Sequence, residues 1–387
     1  MRVLHIVESF ATGVLNVVEL LANGARQLDA DVHIAFSRRL ETPADFACGF
    51  DEGVHFHELD LARGLDLRKD LKGIAAIFRL MRQLKPDVVH LHSSKAGFLG
   101  RLAWRVARLL GQQGRLFYSP HGFSFLQENL GKGERFAYLS LERLAYVCGG
   151  TVVGCSEGEG DVARDKLGRR RIAVVENAIA DFDLPKAEYS RRLPVRVVTA
   201  GRISYQKNPG LFAKMAAAFD GVDAEFVWVG TTAAGQEQLA SELGSRVRVT
   251  GWLPRQQALR EIAAGDIYLQ TSRWEGMPIS VIEAMMMGLP VVVSDVVGNR
   301  DTVTHGATGF VFKNEQDGVT QLARLVRDAE LRSEIGRQAA THARSRFSER
   351  RFIAEWAALY GLTSSVPKNI GRGAAVAGVR AGETSGI

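Results

Sequence analysis

The sequence predicts an α/β protein made of two doubly wound parallel sheets. Three observations predict it. Short apolar strands alternate with helical stretches through residues 1–183. A polar stretch flanked by prolines, 184–194, interrupts the series. A second alternating series then begins at Val195 and runs to 345. Strands that alternate with helices are joined by crossovers, which place them parallel in one sheet with helices on both faces. At 387 residues the chain is long enough for two such domains, each with its own core.

Taken in order, Val3 to Val7 is an apolar strand and Val14 to Leu28 a helix, with the loop Ala11-Thr12-Gly13 between them. Val32 to Phe36 and His55 to Leu59 read as strands. Asp66 opens a basic helix to Leu84, and Pro86 separates it from the strand Asp87 to His92. Ser93 to Gly97 leads into a helix ending at Leu110. Arg115 to Ser119 is a strand that stops at Pro120-His121-Gly122; a helix follows at Glu134 to Val147, then strands at Thr151 to Cys155 and Ile172 to Glu176. In the second series the strands are Val195 to Ala200, Ala224 to Val229, Val247 to Thr250, Ile267 to Gln270 and Pro290 to Ser294. Its helices are Pro209 to Phe219, Gln236 to Leu243, Ile279 to Met287, Glu315 to Arg327 and Glu330 to Arg344. Glu349 to Tyr360 carries Phe352, Trp356, Leu359 and Tyr360 on one face, and the Gly- and Ser-rich tail 362–387 has little to pack and is expected to be flexible.

Hydrophobic residues make up 46% and charged residues 24%, which excludes a disordered chain. No apolar run reaches the length of a membrane span, and the first residues read as a strand, not a signal peptide. Cys48, Cys148 and Cys155 have no metal-ligand spacing, so a reduced, cytoplasmic location is expected. The net charge of +6 suits an acidic small ligand or an anionic membrane surface. No nucleic-acid partner is expected.

The chemistry concentrates between Thr271 and Asp301. A strand, a Gly/Pro loop and a helix put Glu275 and Glu283 eight positions apart, one in the loop and one on the helix. The helix start faces the space above the strand ends, where open α/β sheets bind ligands, and its free N–H groups suit an anion. Upstream, Gly201-Arg202 and Lys207 follow a strand and precede a helix, where a guanidinium fork and an ammonium can clamp a diphosphate.

The Glu-x7-Glu spacing with Glu275-Gly276-Met277-Pro278, and the Gly-Arg-x4-Lys spacing, resemble the retaining glycosyltransferases of family 4, also called group 1, which build bacterial surface polysaccharides. The resemblance spans most of residues 1–361. It implies a GT-B fold, two Rossmann-like domains facing across a cleft: an acceptor-binding domain at 1–183, the linker 184–194, a nucleotide-sugar-binding domain at 195–345 and a helix at 346–361 that returns to the first domain. It implies transfer of a sugar from a nucleotide diphosphate sugar to a glycan or polyprenyl-linked acceptor, with no cofactor and no metal. Arg202 and Lys207 would hold the diphosphate, Glu275 the donor sugar and Glu283 the ribose. Gly276, Met277 and Pro278 would line the donor site, and Trp252 would lie near the nucleobase or in the core. Tyr118-Ser-Pro-His121-Gly resembles the family's Pro-His-Gly segment, which places His121 on the donor sugar. Many members have paired glycines in the first loop; here Gly13 stands alone.

His92, Ser93 and Lys95, at a strand end and helix start, are candidates for the acceptor's phosphate, although simple helix capping would explain the serine equally well. His90 and His92 share a strand face without a further ligand nearby in sequence, so no metal is assigned. Gly158-Glu-Gly-Asp-Val-Ala163 has a dinucleotide fingerprint's spacing, but Glu157, Glu159 and Asp161 would repel a pyrophosphate; a helix capped by Ser156 is expected. Asp181-Phe-Asp183 has the form of a metal-binding acid pair in the wrong context. For membrane contact, Arg101, Arg105 and Arg108 fall on one helix stripe, with Leu99, Leu102, Val106, Leu109 and Leu110 for packing, and Phe123 and Phe125 in a loop that could enter the interface. A sugar-nucleotide epimerase or a non-catalytic sugar-nucleotide sensor would fit the same fold.

Overall fold

The computed structural model describes residues 1–362 apart from 40, 63, 65, 181–183, 188–192 and 233–235. Asp181 and Asp183, the middle of the expected linker and the tail beyond 362 lie outside the described residues. The first sheet is formed by β1 (Arg2–Val7), β2 (Asp31–Phe36), β3 (His55–Glu58), β4 (Val88–His92), β5 (Arg115–Ser119), β6 (Thr151–Gly154) and β7 (Ile172–Val174). Its order is β3-β2-β1-β4-β5-β6-β7, with every neighbour parallel. The crossovers carry α1 (Thr12–Gln27), α2 (Leu67–Leu84), α3 (Ser94–Leu109), α4 (Lys132–Val147) and α5 (Glu157–Lys166).

The second sheet is formed by β8 (Val195–Ala200), β9 (Ala224–Val229), β10 (Val247–Val249), β11 (Ile267–Gln270), β12 (Val291–Ser294) and β13 (Gly309–Phe312). It is also all parallel, in the order β10-β9-β8-β11-β12-β13. Its helices are α6 (Pro209–Ala217), α7 (Glu237–Ser241), α8 (Arg255–Ala263), α9 (Ile279–Met287), α10 (Asn299–Thr302), α11 (Glu315–Arg327) and α12 (Ala329–Arg346), followed by α13 (Glu349–Tyr360).

Local chemistry sets the helix limits. Asp66 caps α2 by accepting from Lys69 N, and Ser156 caps α5 by accepting from Glu159 N. Pro209 occupies the first turn of α6, where a missing N–H costs nothing. Gly288, at φ 98°, ends α9 in the left-handed conformation. Three elements are absent from the sequence-based reading: β13, α8 and α10. The α8 segment has only Leu259, Ile262 and Ala263 buried, so its apolar stripe is one turn deep.

α13 leaves the second domain and packs beside α1 on the first sheet. Phe352, Trp356 and Tyr360 share a buried cluster with Val3, Val7, Val88 and Phe117. The Tyr360 hydroxyl lies 2.6 Å from His90 Nδ1. The face of β4 that carries His90 is therefore roofed by a helix 270 residues away in sequence.

Three expectations about α3 and its surroundings are corrected. Arg101 does not join Arg105 and Arg108 on the surface. It is fully buried, its Nη2 donates to Glu142 Oε2 at 2.5 Å, and its guanidinium sits 4.2 Å from the Tyr118 ring centroid. Val106, Leu109 and Leu110 are exposed and do not pack on the sheet. Phe123 and Phe125 are buried against each other under the loop, so they do not project from it.

Candidate active site

Both sheets reverse strand order at their centres, between β1 and β4 and between β8 and β11. Loops leaving the carboxyl ends of those strands diverge there and open a crevice. The β8 loop carries Arg202 and Lys207, and the β11 loop carries Glu275. Because β8 and β11 are neighbours, the two loops meet. Lys207 Nζ donates to Glu275 Oε1 at 2.8 Å. Ser272 Oγ and Gln270 Nε2 donate to the same oxygen at 2.7 and 3.2 Å, and Gln206 Nε2 lies 3.4 Å from the other oxygen. Burial disfavours the Lys207 ammonium, but the Glu275 carboxylate and then Tyr268 raise its pKa above the ordinary lysine value. The pair is thus a fixed ammonium–carboxylate unit at the crevice floor. Gln206, Gln270 and Ser272 escaped the sequence reading. Only Ser272, three residues before Glu275, gave a local signal.

Arg202 and Glu283 are each held by a side chain of opposite charge. Arg202 Nη1 donates to Glu41 Oε1 of the first domain at 3.1 Å, so this pair spans the crevice. Arg255 Nη2, on α8, donates to Glu283 Oε1 at 2.7 Å. Burial raises the Glu283 pKa, and Arg255 partly offsets it. Trp252 is 75% exposed, so it is a surface side chain and not a core one.

The loop from Glu275 to Pro278 touches the first domain directly. A Cβ on Gly276 would lie 2.8 Å from Gly122 N, and one on Gly298 would lie 2.2 Å from Gly276 O. Asn177 Nδ2 donates to Met277 O at 3.0 Å, and the Met277 side chain is buried in the second core. Pro278 precedes α9, whose start has no side-chain cap; neither has the start of α1 across the crevice. Helix starts without a side-chain cap leave first-turn N–H groups able to take an anion. Gly13, in the first turn of α1, sits beside Ile279: an added Cβ would meet only Ile279 Cγ1, at an ordinary 3.8 Å. We therefore expect Gly13→Ala to leave the melting temperature within about 2 °C of wild type. If the backbone here approaches a donor phosphate, the same variant raises the nucleotide-sugar Kd at least severalfold. Unchanged affinity in a titration would remove Gly13 from the donor site.

In the first domain, His121 begins the loop after β5 with φ 53°. Its Nε2 lies 3.0 Å from His92 Nδ1, and His92 Nε2 lies 3.1 Å from His5 Nδ1. His5 Nε2 is buried without a partner. A buried lone pair is better tolerated than a buried orphan N–H, which puts the His5 proton on Nδ1. The donors then run from His5 to His92 to His121 and leave His121 Nδ1–H as a donor. The loop is further held by Glu159: Oε1 accepts from Gly122 N at 2.6 Å and Oε2 from Cys155 N at 2.8 Å. Support of this kind is not legible locally: His5 lies 87 residues from His92, and Glu159 lies 37 residues from Gly122.

The same geometry revises the acceptor residues. His92 has no exposed surface and both its ring nitrogens are engaged by histidines, so it is not available to an acceptor phosphate. Lys95 Nζ is tied to Asp70 Oδ1 at 2.5 Å and Gly64 O at 2.7 Å. Ser93 Oγ is buried and makes no side-chain cap to α3. His90 is likewise engaged, by Ser119 Oγ at 2.9 Å and by Tyr360.

Burial lowers the pKa of His5 to about 3 and of His121 to about 4, and holds His90 and His92 well below the ordinary histidine value. An unfolded histidine titrates near about 6.5, so below that pH the unfolded chain binds more protons than the folded one. The stability contributed by these neutral rings is complete above about pH 6.5 and is lost as pH falls toward about 4. We expect thermal stability to drop by a few kcal/mol between pH 6.5 and 4.5, before most carboxylates titrate. A flat melting profile across that window would contradict buried neutral histidines.

Known proteins share these sequence and structural features. Residues 186–342 match the family model of group 1 glycosyl transferases, and residues 12–178 match that of a glycosyl transferase 4-like domain. The chain is 31% identical over 291 residues to an Escherichia coli UDP-Gal:alpha-D-GlcNAc-diphosphoundecaprenol alpha-1,3-galactosyltransferase, covering 69% of this chain and 73% of that protein. It is 22% identical over 363 residues to the capsular polysaccharide biosynthesis glycosyltransferase CapM of Staphylococcus aureus, covering 87% and 90%. Among solved structures, Anabaena HepE in complex with UDP and glucose superposes with a TM-score of 0.76 at 19% identity, over 93% of this chain and 99% of that one.

Proposed function

The chain belongs to the group 1 glycosyltransferases of family 4, with a GT-B fold, and from that membership we propose that it moves a hexose from a UDP-sugar to a lipid-linked acceptor in the assembly of a surface polysaccharide. The observation that carries this reading is the Lys207–Glu275 pair, 2.8 Å apart in the loops that leave the neighbouring strands β8 and β11. The choice of uridine and of a polyprenyl diphosphate acceptor rests on the E. coli relative.

In this proposal Lys207 and Arg202 bind the diphosphate, and Arg202 exchanges Glu41 for it. Glu283 takes the ribose hydroxyls in place of Arg255, and Trp252 lies beside the base. Backbone N–H groups of Gly276, Met277 and the first turn of α9 after Pro278, with Gly13 opposite, face the phosphates. Glu275 and His121 hold the sugar. The anomeric carbon–phosphate bond breaks while the acceptor oxygen bonds to the same face of that carbon. The acceptor's proton passes to the departing phosphate oxygen, so configuration is retained and no metal is consumed or required in the balance. The protein's main contribution is charge stabilisation of the leaving diphosphate. Domain closure keeps water from the glycosyl group.

Thermal stabilisation by a panel of UDP-, GDP-, ADP- and dTDP-hexoses tests the donor. At a hundred times its Kd the bound donor adds about 2.7 kcal/mol of stability, and a UDP-hexose is expected to do so. Stabilisation by a different nucleotide sugar alone, or by none, would reject the uridine assignment.

A lipid-linked acceptor requires the first domain to reach a membrane surface. Among the described residues no helix is long and apolar enough to cross one. α4 instead presents Phe136, Leu144 and Val147 on one stripe, 70%, 55% and 78% exposed, beside Lys132, Arg135 and Arg143. Neighbouring α3 adds exposed Val106, Leu109 and Leu110 with Arg105 and Arg108. Apolar side chains ringed by cations suit shallow insertion into an anionic interface, at about 1 kcal/mol per basic residue. Wild type should co-sediment with anionic vesicles at low salt, and Phe136→Asp/Val147→Asp should lose at least tenfold in partitioning. Equal sedimentation of the two proteins would move the membrane face elsewhere.

A further inference from the structure

The edge of the first sheet carries a cluster far from the crevice. β2 and β3 run parallel with His33 beside His55 and Ala35 beside His57. Side chains two residues apart on a strand share a face, so Asp31, His33, His55 and His57 all project from the same side of the edge. Asp31 Oδ1 lies 3.2 Å from His33 Nε2 and 3.8 Å from His55 Nε2, and the three atoms lie within 4.8 Å of one another.

From these positions the geometry points to a divalent transition-metal site of the zinc class, with Asp31 Oδ1, His33 Nε2 and His55 Nε2 as ligands and water completing the shell. Zinc bonds of about 2.0–2.1 Å in a tetrahedron put neighbouring ligand atoms ~3.3 Å apart, and the 3.2 and 3.8 Å separations bracket that edge. The surrounding groups orient the ligands. His57 Nε2 lies 2.9 Å from His33 Nδ1; with Nδ1–H as the donor of that pair, His33 Nε2 keeps its lone pair and can coordinate. His33 Nε2 is buried and makes no hydrogen bond, so Asp31 beside it does not satisfy it. Arg2 Nε donates to the other carboxylate oxygen, Asp31 Oδ2, at 2.6 Å and leaves Oδ1 for the metal. Two imidazoles with one carboxylate favour zinc, cobalt, nickel or copper over magnesium or calcium.

A second histidine group, His5 with His90 and His92, is as close-set. The ring nitrogens of His90 and His92 are all engaged in hydrogen bonds, so coordination there would break existing contacts. The edge site needs no such loss. Its ligands lie at the amino ends of β2 and β3, the end opposite the crevice, which gives the ion a structural role: it ties β3, an edge strand paired only to β2, onto the sheet.

The test uses the full chain without a histidine tag, stripped with chelator and titrated with zinc by calorimetry. One ion per chain should bind saturably, and the melting temperature should rise. His55→Ala and Asp31→Asn change exposed or half-buried side chains and should keep the fold by circular dichroism while weakening binding at least thirtyfold. His57→Ala, which removes only the partner of His33, should weaken it about tenfold. Cobalt(II) bound to wild type should show the visible absorption of a four-coordinate ion, absent in His55→Ala. Absence of saturable binding, or a loss below threefold in His55→Ala, overturns the site.

Discussion

Lys207→Ala is expected to lower kcat/KM by about a hundredfold or more, equivalent to ~3 kcal/mol of lost transition-state stabilisation. The ammonium is part-buried and held 2.8 Å from Glu275, so it acts in a setting where water screens it little. The variant also leaves a buried carboxylate without its cation, which by itself destabilises the fold. The double variant Lys207→Met/Glu275→Gln separates the two effects. It removes both charges with little change in volume and should recover most of the lost stability while leaving transfer abolished. Arg202→Ala should cost less than Lys207→Ala, because Arg202 is more exposed and already shared with Glu41. Near-normal turnover by a folded Lys207→Ala protein would remove Lys207 from the reaction.

Trp356→Ala should cost about 3–5 kcal/mol, the range for a buried tryptophan cut to alanine. Its ring lies 4.5 Å from His90, 5.3 Å from Tyr360 and 6.2 Å from Phe117 by centroid, so one side chain joins α13 to β4 and β5. The indole Nε1 has no hydrogen-bond partner, so the loss is one of packing alone. Trp356→Phe should therefore recover more than half of the stability in chemical denaturation. A loss below about 1 kcal/mol in Trp356→Ala would show that the first domain does not depend on α13.

How much of this was legible can be judged from single elements. β8, β9 and α9 are legible to the residue because each is a predominantly apolar run with Gly or Pro at its boundary. β13 was missed because four residues, Gly-Phe-Val-Phe, are too few to show a period. Arg101 was misplaced for a different reason. Its spacing to Arg105 and Arg108 marks one stripe, but a stripe has two edges. Only Glu142, 41 residues away, decides that Arg101 faces inward. The spacing of Lys207 and of Glu275 is visible in the sequence; of the side chains around Glu275, Gln270 and Ser272 are local to it, while Gln206 needs the meeting of two loops. His90 and His92 read as one face of a strand, and the chain from His5 to His121 required the sheet order β1-β4-β5 to bring three strands together.

The central claim is retaining transfer of a hexose at the Lys207–Glu275 floor. The most direct measurement is the anomeric configuration of the product, read by NMR after incubation with an α-linked UDP-hexose and a polyprenyl-diphosphate-linked sugar. An α-linked product, formed only when acceptor is present and lost in Lys207→Ala, is the predicted result. A β-linked product, or conversion of the UDP-sugar to its epimer without acceptor, would contradict it.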